Sequence, residues 1–275
     1  MSRIADVFGR LRTQRRKAVV PYVVAGDPSA SGTVALLHSL VAAGADILEV
    51  GVPFSDPMSE GTVIQQGHER ALGNGMTLKG VLGIVTEFRR DDNETPIIMM
   101  GYANPIERFG YGAFADAAAA AGVDGLITVD LPPEEVDALD AALHACGLDN
   151  IFLISPTTPE SRIQTIVERA RGFIYYVAVK GVTGSGQLDT AEVASKVATI
   201  RAKTDLPVAV GFGIKDANSA KSVAAVADAV VVGSALIDQM VKAVQSDASM
   251  SEIQIHDAAV QLMSSIRAGV DSSPS

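Results

Sequence analysis

The chain has 275 residues, 48% hydrophobic and 20% charged, with a formal net charge of −10 and a single cysteine. A chain of this length and apolar content can bury a large core without metal or disulfide staples, and its acidic balance argues against binding nucleic acid, whose phosphates demand a basic surface. One cysteine, Cys146, leaves no disulfide framework and reads as a buried thiol in a reducing compartment.

In chain order, the basic opening MSRIADVFGRLRTQRRK lacks the apolar region of a signal peptide, and no run reaches the roughly 18 residues of a membrane span. A cytoplasmic location is expected. The stretch IADVFGRLRTQ puts Ile4, Val7, Phe8 and Leu11 on one helical face, suited to plugging the bottom of a barrel, and RTQRRK reads as a solvated helix end. Eight short β-branched runs follow: VVPYVVAG from Val19, DILEVGV from Asp46, PIIMMGY from Pro96, DGLITVD from Asp124, NIFLISP from Asn150, FIYYVAV from Phe173, PVAVGFG from Pro207 and DAVVVGS from Asp228. Each leads into a polar or Gly/Pro loop. Helical patterns such as SASGTVALLHSLVAAG, YGAFADAAAAAG, PPEEVDALDAALHACG, TPESRIQTIVERARG, TAEVASKVATIRAKT and DANSAKSVAAVAD lie between them.

Repeated strand and helix units of this kind predict an α/β fold, a (β/α)8 TIM barrel with an additional N-terminal helix; an open doubly wound sheet is the alternative. The second and third runs start furthest apart, at Asp46 and Pro96, so the loop after strand 2 is enlarged. Such a loop is expected to serve as a lid or a partner-binding element. Residues 1–268 are expected to form one barrel domain, and residues 269–275 a disordered tail.

The stretch LEVGVPFSDPMSEGTVIQ carries the first chemistry-bearing position. Strand alternation sets Ile47, Glu49 and Gly51 on one face and Leu48 and Val50 on the other. Leu48 and Val50 suit the helix layer, so Glu49 points inward, where burial raises a carboxylate's pKa and prepares it for proton transfer. A structural carboxylate paired with a buried cation is the competing reading, weakened because no Lys or Arg lies within any strand run. Position alone leaves Glu60 as a solvated loop acid. GFGIKD (211 to 216) and VVGSALI (231 to 237) end the seventh and eighth runs, and glycines there let backbone N–H groups approach an anion; GVTGSGQ (181 to 187) can add more. The histidines His38, His68, His144 and His256 fall on helical or loop stretches and do not cluster, so no metal site or histidine-based triad is expected. A dinucleotide fingerprint is also missing. Lys180 follows the sixth run and could form a Schiff base, but alternation places it on the face opposite Phe173, Tyr175, Val177 and Val179.

Seven segments, AGDP, LEVGVPFSDP, MGYANPI, DGLITVDLPPEE, YYVAVKGVTG, GFGI and VVGSAL, together resemble the alpha subunits of tryptophan synthase across almost the whole chain. The resemblance implies a lyase of tryptophan biosynthesis that cleaves indole-3-glycerol phosphate to indole and glyceraldehyde 3-phosphate without a metal or organic cofactor. It makes Glu49 the acid/base, Glu60 the second carboxylate and Tyr175 a neighbour of the catalytic site. It also implies an indole pocket of Tyr22, Met100, Ile127, Val129, Leu153 and Phe212, a phosphate cradle of Gly184, Gly213, Gly233 and Ser234, and a sixth loop carrying Thr183. It further implies a pyridoxal-phosphate beta subunit as partner in an assembly of two alpha and two beta chains, facing Pro53, Asp56, Asn104, Asp130 and Pro132. Three positions depart from the family's pattern: Glu60 stands where Asp is usual, Thr62 where Pro is usual, and Tyr22 where Phe is usual. Two rival readings are a sugar-phosphate isomerase or Schiff-base aldolase on Lys180, and a non-catalytic regulatory subunit.

Overall fold

The computed structural model of the chain describes residues 2–178, 190–211, 213–247 and 250–273. Eight parallel strands close on themselves in sequence order: β1 (Ala18–Val24), β2 (Leu48–Gly51), β3 (Ile97–Gly101), β4 (Gly125–Thr128), β5 (Asp149–Ile154), β6 (Ile174–Val177), β7 (Val208–Gly211) and β8 (Ala229–Val232). Pairing of β1 with β8 through Ala18 and Ala229 shuts the sheet, and closure removes the exposed edges that an open sheet must protect. The architecture is a (β/α)8 barrel, as the repeating pattern predicts.

Strand parity divides the apolar side chains into two cores. Leu48, Val50, Ile174, Tyr176, Val208 and Val210 face outward into the helix layer. Ile47, Ile98, Ile127, Ile151, Phe173, Ala209 and Ala229 fill the barrel interior. Helix α1 (Arg3–Thr13) closes the bottom of that interior: Ile4, Val7, Phe8 and Leu11 are buried in the same inner cluster, and Phe8 lies 5.9 Å from Phe173, ring centre to ring centre. The plug predicted from the 3.6-residue spacing is present.

Acids at the start of three strands tie the barrel floor together. Asp46 accepts the Val19 N–H, Asp124 the Ile97 N–H and Asp228 the Val208 N–H, each at 2.8 to 2.9 Å. Each side chain thereby satisfies a backbone donor at the start of the neighbouring strand. Arg267 bonds Asp46, and Arg89 and Arg3 bond Asp124, so these carboxylates are paired within the frame.

Between β2 and β3 the enlarged segment is more than a loop. A turn over residues 52–61 leads into α3 (Thr62–Gly73), which precedes α4 (Leu78–Phe88). Gly61 is the N-cap of α3, so Thr62 occupies the first helical position. Proline is favoured there because its φ is preset and its missing N–H is not needed, and threonine fits the same place without that preset.

The chain ends differently from the expectation of a tail from residue 269. Helix α12 (Glu252–Asp271) continues to Asp271 with Gly269 and Val270 buried. A Cβ at Gly269 would come 2.3 Å from the Ala217 carbonyl oxygen, so the helix ends packed against α10 (Ala217–Ala224), and burial of Val270 holds its last turn. Residues 274–275 lie outside the described set. Cys146 also differs from its expected burial: it is half-buried, with its thiol 3.3 Å from Asp116.

Candidate active site

A cavity of about 430 Å³ opens at the C-terminal ends of the strands. Tyr22, Glu49, Met100, Val129, Leu153, Tyr175, Val177 and Val231 form its floor and walls, the turn and α3 contribute Ser59 to Ile64, and Gly213, Ile214, Gly233 and Ser234 form the far rim. Two glycines shape it. A Cβ at Gly51 would sit 2.3 Å from the Tyr22 hydroxyl oxygen, and one at Gly211 would sit 2.4 Å from that of Tyr175. No real Cβ tolerates such distances, so each tyrosine lies across a strand end that only glycine leaves open.

Glu49 stands on β2 with Tyr22 as its neighbour on β1 and Ile98 as its neighbour on β3. It is 1% exposed, and its Oε1 has no hydrogen-bond partner among the described residues. Burial, and secondarily the charge of Glu60, push its pKa up to about 8. The buried-cation alternative thereby loses its support. Glu60 is half-buried over the same cavity, and burial lifts its pKa to about 7. The turn that carries it is tethered: the Phe54 N–H donates to His68 Nδ1 at 3.0 Å, the Ser59 N–H to the Tyr102 hydroxyl at 3.2 Å, and Gln65 Nε2 to the Glu60 carbonyl at 2.9 Å. Phe54 also stacks on Tyr102 with ring centres 5.1 Å apart.

On the opposite wall Gly213 has a φ of +75°, a left-handed conformation suited to glycine. Gly233 is the N-cap of α11 (Ser234–Ser246) and makes no side-chain cap bond, and Gly233 and Ser234 both line the cavity, so the N-terminus of that helix borders it. Unpaired N–H groups and the helix dipole together favour an anion.

Most residues expected in the site therefore meet there: Glu49, Glu60, Tyr175, Tyr22, Met100, Val129, Leu153, Gly213, Gly233 and Ser234 all line the cavity. Ile127 does not. It is fully buried one layer lower, in the inner cluster against which Met100 packs, because alternation sets which face a residue occupies and not how deep it sits. Thr183, Gly184, Phe212 and Lys180 lie outside the described residues. Of the expected partner-facing positions, Asp56 and Asp130 are exposed on the turns after β2 and β4, Asn104 is exposed in the short helix that follows β3, and Pro132 is half-buried. Pro53 is buried, so it shapes the turn from beneath and is not part of the free chain's surface. Asp130 is also bonded to the Ala103 N–H at 2.7 Å.

His68 is the functional neighbour the sequence did not reveal. It lies on α3, and its Nε2 is 3.3 Å from the Tyr22 hydroxyl. The departure at Tyr22 thus finds its polar partner. Its signal in the sequence was a histidine eight residues beyond Glu60, which becomes meaningful only once α3 is seen against β1.

The fold and the cavity define a barrel enzyme with a buried carboxylic acid in its cavity and glycines and a helix N-terminus along the rim. The chain belongs to the tryptophan synthase alpha chain family: residues 8–266 match the family model described as tryptophan synthase alpha chain. The alpha chain of Thioalkalivibrio sulfidiphilus is 60% identical over 240 residues, covering 87% of this chain and 90% of its own. That of Bordetella bronchiseptica is 54% identical over 271 residues, covering 98% and 95%. The crystal structure of tryptophan synthase subunit alpha from Legionella pneumophila str. Paris superposes with a TM-score of 0.90 at 44% identity, covering 98% of this chain and 99% of that one. The chain is a lyase of tryptophan biosynthesis, in a family whose reaction cleaves indole-3-glycerol phosphate to indole and glyceraldehyde 3-phosphate and whose alpha chains need no cofactor of their own.

Proposed function

We propose that Glu49 is the proton-transferring residue of this cleavage and Glu60 its electrostatic partner. The supporting observation is that the two carboxyl groups share one cavity in different settings, Glu49 fully buried with an unpartnered Oε1 and Glu60 half-buried on the turn above it. Burial raises both pKa values, to about 8 and about 7, and the more deeply buried group is the one that serves as the acid.

Glu49 donates its proton to indole C3, which becomes tetrahedral while positive charge spreads to the ring nitrogen. The Glu60 carboxylate stabilises this charge, more strongly than it would in water because the bound ring and the apolar walls surround it. Glu49, now ionised, takes the proton of the hydroxyl on the carbon attached to C3. The C–C bond breaks, its electron pair returns to the ring, the hydroxyl oxygen becomes the aldehyde oxygen, and Glu49 recovers its proton. No net proton is consumed. Tyr175 closes the floor beside the reacting carbon, and Tyr22, Met100, Val129 and Leu153 supply the apolar wall for the indole ring. Gly213, Gly233 and Ser234 hold the phosphate through backbone N–H groups, which explains how a chain of net charge −10 accepts an anion.

The exposed rim of Asp56, Asn104 and Asp130, with Met58 80% exposed beside Asp56, suits a beta subunit. The reading is an assembly of two alpha and two beta chains in which the beta subunit carries pyridoxal phosphate and receives indole through an internal tunnel. No helix among the described residues is long and apolar enough to cross a membrane, and the proposed location is cytoplasmic. An indole-release assay on the purified chain, alone and with a beta subunit, tests the reading. Indole from the chain, raised by the partner, supports it; no indole in either arm refutes it, and covalent trapping by borohydride in the presence of substrate would favour a Schiff-base aldolase instead.

A further inference from the structure

The geometry points to His68 as a positioning residue that fixes the Tyr22 hydroxyl as a hydrogen-bond donor into the cavity, for the substrate oxygen that turns from alcohol to aldehyde. This inference rests on the proposed reaction.

The protonation pattern follows from the two neighbours of the imidazole. The Phe54 N–H donates to Nδ1 at 3.0 Å, so Nδ1 carries no proton. In a neutral ring the proton is then on Nε2, and burial keeps the ring neutral, with its pKa lowered to about 4 and the side chain 2% exposed. Nε2–H is thus the donor in the 3.3 Å contact with Tyr22, and the phenol oxygen is the acceptor. The phenol's own proton has no acceptor among the described residues, and Tyr22 lines the cavity. Tyr22 is also the register neighbour of Glu49, the residue assigned to take the substrate's hydroxyl proton. As that proton leaves, negative charge grows on the oxygen, and a phenol proton held free to donate to it favours the transition state over the ground state.

Helix α3 is held firmly enough to act this way. Arg70 makes a two-pronged bond to the buried Asp27 at 2.7 and 2.8 Å, and Asn74 bonds the carbonyls of Gly26 and Pro28 at 2.9 and 2.8 Å. These contacts lock α3 to the turn after β1, one strand end from Tyr22. Gly51 completes the arrangement by leaving space for the phenol to lie across β2, since a Cβ there would come 2.3 Å from its hydroxyl oxygen.

Asparagine at position 68 can keep an acceptor for the Phe54 N–H but lacks the reach of Nε2, which separates the anchoring of the turn from the positioning of Tyr22. The experiment measures kcat and KM for indole release by the complex with a beta subunit, for the wild type, Tyr22→Phe, His68→Asn and the double variant. Tyr22→Phe is expected to lower kcat about tenfold and His68→Asn about fivefold, with KM within about twofold of wild type, as for loss of one transition-state hydrogen bond and of its support. The double variant should be no slower than Tyr22→Phe, because His68 acts through the hydroxyl. An unchanged kcat for Tyr22→Phe overturns the inference, even if the His68 variant cannot be folded. Multiplying losses in the double variant overturn it too. A wild type that releases no indole refutes the proposed reaction instead, so the two failures are distinguishable.

Discussion

Replacing Glu49 by Gln removes one ionisable group from a buried position while nearly preserving its shape, so its effect on folding stability reports the protonation state directly. In the unfolded chain the carboxyl ionises at its ordinary value of 4.5, and in the native chain at about 8. Between those values the native state binds more protons than the unfolded state, so stability falls as pH rises. At 1.36 kcal/mol per pH unit, the interval from pH 4.5 to 7 weakens the wild type by about 3 kcal/mol. The Gln variant escapes this loss, although its buried amide costs about 1 to 3 kcal/mol if left unpaired, a penalty that does not depend on pH. Urea unfolding of both chains at pH 5, 6, 7 and 8 gives the difference as a curve. It should slope in favour of the variant by about 1 kcal/mol per pH unit up to pH 7 and flatten near pH 8. A flat difference across that range would mean that Glu49 is either solvated or paired, and the reasoning about the cavity would be wrong.

Removing the charge of Glu60 should act on its neighbour as well as on the reaction. Because that charge helps raise the pKa of Glu49, Glu60→Gln should move the alkaline limb of the pH–rate profile to lower pH and cut kcat by about a hundredfold, read from indole release between pH 6 and 9. Gly51→Ala would drive a methyl to 2.3 Å from the Tyr22 hydroxyl oxygen; overpacking predicts a loss of about 1 to 3 kcal/mol in urea unfolding, together with a lower kcat/KM. Ser234→Asp, at the start of α11, should raise KM for the phosphate substrate about tenfold or more by placing a carboxylate in the anion seat, with kcat changed less, measured by steady-state indole release.

Strand parity carried much of this site. Ile47, Glu49 and Gly51 could be assigned to the interior because Leu48 and Val50 are apolar on the other face, and the inner cluster holds Ile47 while the helix layer holds Leu48 and Val50. The plug of Ile4, Val7, Phe8 and Leu11 was legible for the same reason, since a helical spacing with one apolar face must find a cavity or a core. Depth was not legible. Ile127 has the right face and lies below the cavity, because the tilt of neighbouring strands decides which layer a residue joins. The role of His68 depended on α3 lying against β1, a contact made by Arg70 with Asp27 and far from local in sequence. Helix α12 extends into the polar C-terminal stretch as far as Asp271 because burial of Val270 outweighs the Ser/Pro composition that follows it.

The central claim is that one buried carboxyl group moves the protons of the cleavage, and turnover by Glu49→Gln tests it most directly. With the purified complex and saturating indole-3-glycerol phosphate, the account predicts a fall in indole formation of about 10³-fold or more, with the variant still binding substrate by calorimetry and still binding the beta subunit. Turnover within about tenfold of wild type would contradict it, because an amide cannot donate and recover a proton in this step.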